Sequence, residues 1–140
     1  MRVLHITNEF TKKNYSIASL IIFISNYLHK NFNINFSLLA CNANKYLFND
    51  ANIITDSKFN KWSNFFVINR GLKKIIHDYD LIHIHGIWAP IQLFSILKCN
   101  RESLNCVIHP HGMLLPEALG SGGTLKYFFK LISLLSLIHI

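Results

Sequence analysis

The chain has 140 residues, which accommodates one domain with a sizeable core. Hydrophobic residues make up 51% of it and charged residues 15%, and this composition excludes a disordered chain. The formal charge of +7 favours anionic partners. The basic residues are scattered and no zinc-finger or RNP motif is present, so we expect no nucleic acid among the partners.

Cysteine usage and the apolar stretches bear on where the protein works. Cys41, Cys99 and Cys106 are widely spaced and odd in number, which is typical of reduced thiols rather than a disulfide framework. The apolar stretches Ile17 to Leu28 and Phe128 to Ile140 are shorter than the roughly 20 residues of a membrane span. We therefore expect a cytoplasmic protein, with peripheral contact with the anionic inner face of the plasma membrane as a further possibility.

The first half of the chain predicts strand, helix and strand in turn. Apolar residues recur at spacings of three and four after Ser16, which offers an N-cap for a helix. Short apolar runs before and after it are typical of buried strands. The predicted elements are a strand at Arg2 to Thr7, a helix from Ser16 to Lys30, a strand at Ile34 to Cys41 and a short strand at Ile53-Ile54.

The second half repeats the alternation. Asp80 and Gly86 bound an apolar strand, and Pro90 stands in a first helical turn, where its missing N–H costs nothing. The alternating order predicts an α/β fold, with a mostly parallel sheet and helices on both faces. The predicted elements are a helix at Trp62 to Tyr79, a strand at Leu81 to His85, a helix at Ala89 to Asn100, a strand at Asn105 to His109 and a helix from Thr124 to Leu135.

Two neighbouring strands of this sheet lead into His-x-His-Gly. One is His83-Ile-His85-Gly86 and the other is His109-Pro-His111-Gly112. Ligands of open parallel sheets lie outside the carboxyl ends of the strands, and glycine permits the sharp turn there. Imidazole suits sugar hydroxyls and phosphate oxygens. We expect functional roles for His85 and His111, and structural roles, satisfying hydrogen bonds in the core or at the edge, for His83 and His109.

Two alternatives accompany the histidines. Four imidazoles on neighbouring strand ends could ligate zinc. Carboxylate partners for such ligands are missing apart from Glu117, so we expect no metal. Trp88 follows the first motif, either as a stacking platform for a sugar or as a core aromatic at the start of a helix.

The two motifs in their context resemble a known family. Asp80-Leu-Ile-His-Ile-His-Gly-Ile-Trp-Ala-Pro, followed after a helix by Val107-Ile-His-Pro-His-Gly-Met-Leu-Leu-Pro-Glu-Ala-Leu, is similar to the N-terminal domain of GT-B-fold, family-4-type (group 1) glycosyltransferases. Bacterial enzymes of surface-polysaccharide assembly are the most similar members. The opening Met1-Arg-Val-Leu-His-Ile-Thr is similar as well.

The resemblance implies a fold, a reaction and a set of residues. Such enzymes place two Rossmann-like domains across a cleft, the first holding a sugar or lipid-linked acceptor and the second a nucleotide-sugar. Transfer retains the anomeric configuration without a bound metal. His111 matches the family histidine beside the reacting centre, which implies a catalytic role. His85, Gly86 and Trp88 match a second loop of the cleft, and Gly112 adjoins the catalytic position as a further substrate-binding residue.

The loop after the first strand departs from the family pattern. Family members carry a Gly-Gly pair that approaches the donor phosphates, whereas this loop reads Thr11-Lys-Lys-Asn-Tyr-Ser16. Asn14 and Ser16 are the candidate substrate-binding residues here, and Lys12 and Lys13 could supply charge. A solvated basic loop is the alternative.

The second departure is the missing donor domain. The family's Glu-x7-Glu motif has no match, so residues 1–140 are expected to form an incomplete N-terminal Rossmann-like domain, inactive alone. We expect this chain to bind no cofactor, since the nucleotide-sugar is the donor substrate of the complete enzyme. Two alternatives remain open. One is a subunit of a split transferase with a separate donor-domain chain, and the other is a non-enzymatic flavodoxin-like binding module.

Overall fold

A computed structural model describes residues 1–11, 15–43, 52–55 and 64–117. Within these residues the chain alternates strands and helices as the sequence predicts. A short 3₁₀ turn at Ile76–Asp78 connects the second helix to the strand that follows. The strands and helices are β1 (Arg2–Phe10), α1 (Tyr15–Phe32), β2 (Asn35–Ala43), β3 (Asn52–Thr55), α2 (Phe65–Ile75), β4 (Leu81–His85), α3 (Pro90–Arg101) and β5 (Cys106–His109).

The strands form one parallel sheet in the order β3-β2-β1-β4-β5. The predicted fold class is therefore confirmed: a Rossmann-like α/β sheet. In the register of the central strands, His5 of β1 lies opposite His83 of β4, and His85 lies opposite His109 of β5. Partners in register point to the same face of a sheet. The sequence thus collects four imidazoles on one face.

Helices cover both faces of the sheet, and two apolar clusters result. The larger cluster joins strand side chains such as Leu4, Ile6 and Ile84 to residues of α2 and α3. The smaller cluster joins Leu38 and Ala40 of β2 to Ala18 and Ile21 of α1. Strands buried on both faces read as nearly continuous apolar runs, and this is why the sequence pattern reveals them.

Helix α1 presents a different face to the sheet from the one expected. The apolar spacing places Ile17, Leu20, Ile24 and Leu28 on the buried side with Ile21. In the structure Ile21 is buried, these four are only partly buried, and Ala18 and Ser25 are buried in their place. A small residue lets the helix approach the sheet closely, and a serine hydroxyl is buried where it finds a polar partner. The position of Ser25 matters for the site described below.

Several helix boundaries differ from the predicted ones. A capping side chain precedes the first helical residue. Because α1 begins at Tyr15, Ser16 lies in the first turn, where its carbonyl oxygen accepts a hydrogen bond from Ser19 Oγ at 3.0 Å. The helix expected over Trp62 to Tyr79 ends as α2 at Ile75 and tightens into the 3₁₀ turn. The loop residues Lys12, Lys13 and Asn14 and the helix expected from Thr124 fall outside the described residues.

Two coarser expectations are also tested. Cys41, Cys99 and Cys106 form no disulfide in the structure, and the first two are buried. None of the helices within the described ranges combines the length and apolarity that crossing a membrane requires.

The carboxylate of Glu102 connects the end of α3 to the 3₁₀ turn. Lys98 Nζ donates to Glu102 Oε1 at 2.6 Å, and His77 Nε2 lies 2.9 Å from Oε2. The side chain of Lys98 is only 7% exposed, so its ammonium depends on this partner. The hydrogen bond from Lys98 lowers the pKa of Glu102 below its ordinary value.

We predict that Glu102→Gln lowers the free energy of unfolding by about 1 kcal/mol at pH 7. A carboxyl whose folded-state pKa is depressed contributes stability above its unfolded pKa, and that contribution disappears as the pH falls through the folded pKa. Chemical denaturation should therefore show that the free energies of unfolding of the parent protein and of Glu102→Gln become equal at acidic pH. The control is Asp78→Asn, an exposed acidic residue on the same turn. A difference that is constant with pH would contradict the assignment.

Candidate functional site

Five histidines form a cluster that extends from the middle of the sheet to its carboxyl-terminal edge. His5 comes from β1, His83 and His85 from β4, and His109 from β5, while His111 lies two residues beyond β5. The ring centroids of His83 and His85 are 4.1 Å apart, and those of His109 and His111 are 4.0 Å apart. His85 and His111 are linked across the two strands at 5.2 Å. The two His-x-His-Gly motifs and the middle of β1 thus form one cluster.

A continuous line of hydrogen bonds runs through this cluster from α1 to the surface. Ser25 Oγ lies 3.3 Å from His5 Nε2, and His5 Nδ1 lies 2.9 Å from His85 Nε2. His85 Nδ1 lies 3.0 Å from His111 Nε2. Each internal imidazole uses both of its nitrogens, and we call these four residues the histidine line.

Three members of the histidine line are buried, and the fourth, His111, is partly exposed. Ser25 is 3% exposed, His5 is 1% exposed and His85 is fully buried, whereas His111 is partly exposed. His85 was expected to touch a ligand directly. In the structure both of its ring nitrogens are hydrogen-bonded inside the protein, one to His5 and the other to His111.

The environment keeps these rings neutral. Burial, reinforced by the neighbouring imidazoles, lowers the pKa of His5 to about 3 and that of His85 to about 2. The same two causes lower the pKa of His83 to about 4. Burial and then His109 lower the pKa of His111 below its ordinary value. An imidazolium at any of these four positions would be poorly hydrated, so their neutral forms prevail near pH 7.

Neutral imidazoles leave the line only two proton arrangements. Each ring carries one N–H, and each bond between two rings needs one donor. In the first arrangement Ser25 donates to His5, and His5, His85 and His111 all carry their proton on Nδ1. In the second, all three carry it on Nε2 and His5 donates to Ser25. The state of His111 Nδ1 at the surface is therefore set by the direction of the whole line.

Gln92 of α3 fixes the turn after β4. Its Nε2 donates to the carbonyl oxygen of His85, and its Oε1 accepts from the backbone N–H of Ala89 at 2.8 Å. Gly86 lies beneath this amide with φ of +90°, and an added Cβ would come within 2.5 Å of Gln92 Nε2. Only glycine fits this position, because both the space and the backbone conformation exclude a side chain.

The turn after β5 holds His111 in a conformation that most side chains avoid. His111 has φ of +51° and Gly112 has φ of +77°. The backbone N–H of Met113 donates to the carbonyl oxygen of Pro110 at 3.0 Å, and that of Gly86 donates to the carbonyl oxygen of His109 at 2.8 Å. A left-handed non-glycine residue at a ligand-facing edge is a frequent mark of a functional site.

The remaining predicted site residues are less central. Trp88 is partly buried and packs against the larger apolar cluster, which supports the core interpretation for at least part of its ring. Ser16 is exposed in the first turn of α1. Gly112 shares the turn of His111, and an added Cβ would meet only Leu115 at an ordinary contact distance of 3.4 Å.

The sequence pattern does not predict three residues of the site, namely His5, Ser25 and Gln92. Each carried a weak signal. His5 is a polar residue inside an apolar strand, Ser25 follows Ala18 and Ile21 at helical spacing, and Gln92 occupies the third position of a helix, where a side-chain amide can cap the first turn.

Comparisons with known proteins support the fold. No family model matches the sequence, and a search of curated proteins finds no match. Among solved structures, the chain is similar to UDP-GlcNAc 2-epimerase from Neisseria meningitidis, in a crystal structure bound to UDP-GlcNAc, with a TM-score of 0.64 and 16% identity. The likeness covers 96% of this chain and 38% of the epimerase chain. At this identity it shows a Rossmann-like, GT-B-like fold and leaves the glycosyltransferase family as an expectation.

The two glycines of the motifs give a matched pair of variants. We predict that Gly86→Ala destabilises the protein by at least about 2 kcal/mol, because strain at positive φ adds to the clash with Gln92. Gly112→Ala meets the backbone strain alone and should cost about 1 kcal/mol. Denaturant unfolding of both variants measures the difference. Equal losses would show that Gln92 does not clamp the turn.

The two-arrangement rule is testable by ¹⁵N NMR of the histidine side chains at pH 7. We predict that His5, His85 and His111 carry their protons on the same type of nitrogen, all Nδ1 or all Nε2. His29 is an internal reference, because its Nδ1 lies 3.0 Å from the carbonyl oxygen of Ile34, which only accepts. A mixed pattern along the line would contradict the hydrogen bonding described here.

Proposed function

We propose that this chain is the acceptor-side, N-terminal Rossmann-like domain of a GT-B glycosyltransferase. In this proposal it takes part in the transfer of a sugar from a nucleotide-sugar to a surface-polysaccharide or lipid-linked acceptor. His111 is its residue at the reacting centre. The nucleotide-sugar binds to a second domain, in the same or a separate chain, that faces this edge of the sheet.

One observation carries the proposal: the histidine line ends at the surface on His111. Of its four members, Ser25, His5 and His85 are buried and their ring and hydroxyl groups are used internally. His111 alone among them reaches solvent, at the edge of a parallel sheet where ligands of this fold class bind. A buried polar line that terminates on a single accessible ring is costly to build for stability alone.

The chemistry of His111 suits a reacting sugar. Its Nε2 faces His85, which leaves Nδ1 for a ligand. In one proton arrangement Nδ1 donates to an oxygen on which negative charge develops, and in the other it accepts a proton from a hydroxyl. Because the ring is neutral, it orients a sugar hydroxyl or a departing phosphate oxygen by hydrogen bonding without first forming a fixed ion pair.

The two turns supply the remaining parts of the acceptor wall. Gly112 is exposed in the turn of His111 and carries no side chain to cover the approach of a sugar, while Gly86 allows the tight turn beneath Gln92. The partly exposed portion of Trp88 offers an aromatic surface beside the first turn. In this scheme His85 is a positioning residue, because it sets the orientation and tautomer of His111 without touching the sugar.

We predict that His111→Ala, in the enzyme assembled with its donor domain, lowers turnover by more than about tenfold, or ~1.4 kcal/mol in the activation barrier. Steady-state transfer from a panel of nucleotide-sugars is the measurement. The matched control is His77→Ala, an exposed histidine on the 3₁₀ turn. Turnover that is near normal in His111→Ala would remove His111 from the reacting centre. Transfer catalysed by the purified 140-residue chain alone would contradict the need for a second domain.

A further inference from the structure

We propose that His85, His109 and His111 form a binding site for one divalent transition-metal ion, with Zn²⁺ as the reference case. The sequence alone favours the absence of a metal, because no carboxylate partner is apparent. In the structure the imidazole of His5, rather than a carboxylate, is the hydrogen-bond partner of His85, and this favours a metal site. The proposal shares His85 and His111 with the proposed function, but its test measures ion binding and does not require sugar transfer.

Three imidazoles lie close together here. His109 and His111 are stacked with 15° between their planes, so one of these rings must rotate before both can direct a lone pair at the same ion. One ring nitrogen from each of His85, His109 and His111 lies within 4.8 Å of the others. His85 Nδ1 and His111 Nε2 are 3.0 Å apart. A tetrahedral zinc with Zn–N distances of 2.0–2.1 Å holds two ligating nitrogens about 3.3 Å apart. If the two nitrogens move apart by a few tenths of an ångström, both can therefore bind one ion in place of their hydrogen bond.

The donor set selects the class of metal. Three imidazoles with no carboxylate favour Zn²⁺, Cu²⁺ or Ni²⁺ over Mg²⁺ and Ca²⁺, which prefer oxygen ligands. Imidazole binds a metal only in its neutral form. Burial already holds His85 and His111 in that form near pH 7, so the ion need not displace protons from them.

The histidine line provides the outer shell that a metal-bound imidazole requires. When the ion takes His85 Nδ1, the proton of His85 is on Nε2, which donates to His5 Nδ1 at 2.9 Å. His5 then carries its proton on Nε2 and donates to Ser25 Oγ at 3.3 Å. The second arrangement of the line already places the protons of His5 and His85 in this way, and only His111 must shift its proton, from Nε2 to Nδ1, to leave Nε2 for the ion. Partners of this kind fix the tautomer of a ligating histidine.

A second triad, His5, His83 and His85, is the competing location. One nitrogen from each of these rings also lies within 4.8 Å of the others, and His83 Nε2 is buried without a hydrogen-bond partner. However, His5 and His85 are buried, and an ion there would carry its charge into an interior in which none of the buried residues that the structure describes is anionic. His109 and His111 reach solvent, so water can complete the coordination of the outer triad.

The test is titration of the purified 140-residue chain with Zn²⁺ by calorimetry and with Co²⁺ by visible absorption at pH 7. We expect one ion per chain and the intense absorption of tetrahedral Co²⁺. His109→Asn should weaken binding by more than about tenfold, the smallest effect typical of losing even an outer-shell partner. His111→Asn should do the same, and asparagine tolerates the left-handed backbone that this position requires.

Matched controls separate this site from adventitious binding. His29→Ala and His77→Ala remove exposed histidines elsewhere and should leave the affinity unchanged. Circular dichroism of each variant checks that it is folded. The proposal is overturned if the chain binds no ion, or if binding survives both asparagine substitutions. It is also overturned if His83→Ala abolishes binding while His109→Asn does not, because the ion would then occupy the inner triad.

Discussion

The site depends on one constraint, namely that the deeply buried rings of His5 and His85 need hydrogen-bond partners for both of their nitrogens. Two histidines, His5 and His85, are buried on the same face of the sheet. An unpaired buried nitrogen costs on the order of 1–3 kcal/mol. The protein meets this constraint by arranging the rings head to tail between a serine of α1 and an accessible ring beyond β5. Because each ring is hydrogen-bonded to the next, its orientation is defined, and the orientation of His111 at the end of the line is defined in the same way.

The architecture was largely predictable because its signals are local. Strands buried on both faces are continuous apolar runs, and Asp80, Gly86 and Pro90 mark where elements end and begin. The two His-x-His-Gly motifs also placed His85 and His111 at the correct edge of the sheet. What the sequence could not show was that β1 pairs with β4 in the register that sets His5 opposite His83. That register follows from packing of the whole sheet, and without it His5 reads as one polar residue in an apolar strand.

The contacts of the His85 ring were harder to predict than its location, for a related reason. The sequence pattern predicts that a side chain at the end of a strand is accessible to solvent. Whether it is buried depends on the turn that follows the neighbouring strand. Here the left-handed turn at His111 and Gly112 folds the second imidazole over the first. Single-sequence patterns do not resolve the path of that turn.

The hydrogen bond from the backbone N–H of Gly86 to the carbonyl oxygen of His109 has a consequence for the entropy of ligand binding. It extends the β4–β5 ladder past the last residue of β4, so the two motif turns are anchored to each other before a ligand arrives. The loss of conformational freedom needed to hold His111 in place occurs during folding. A ligand at this edge then meets a preorganised surface, and less of its intrinsic binding energy is used to order the protein.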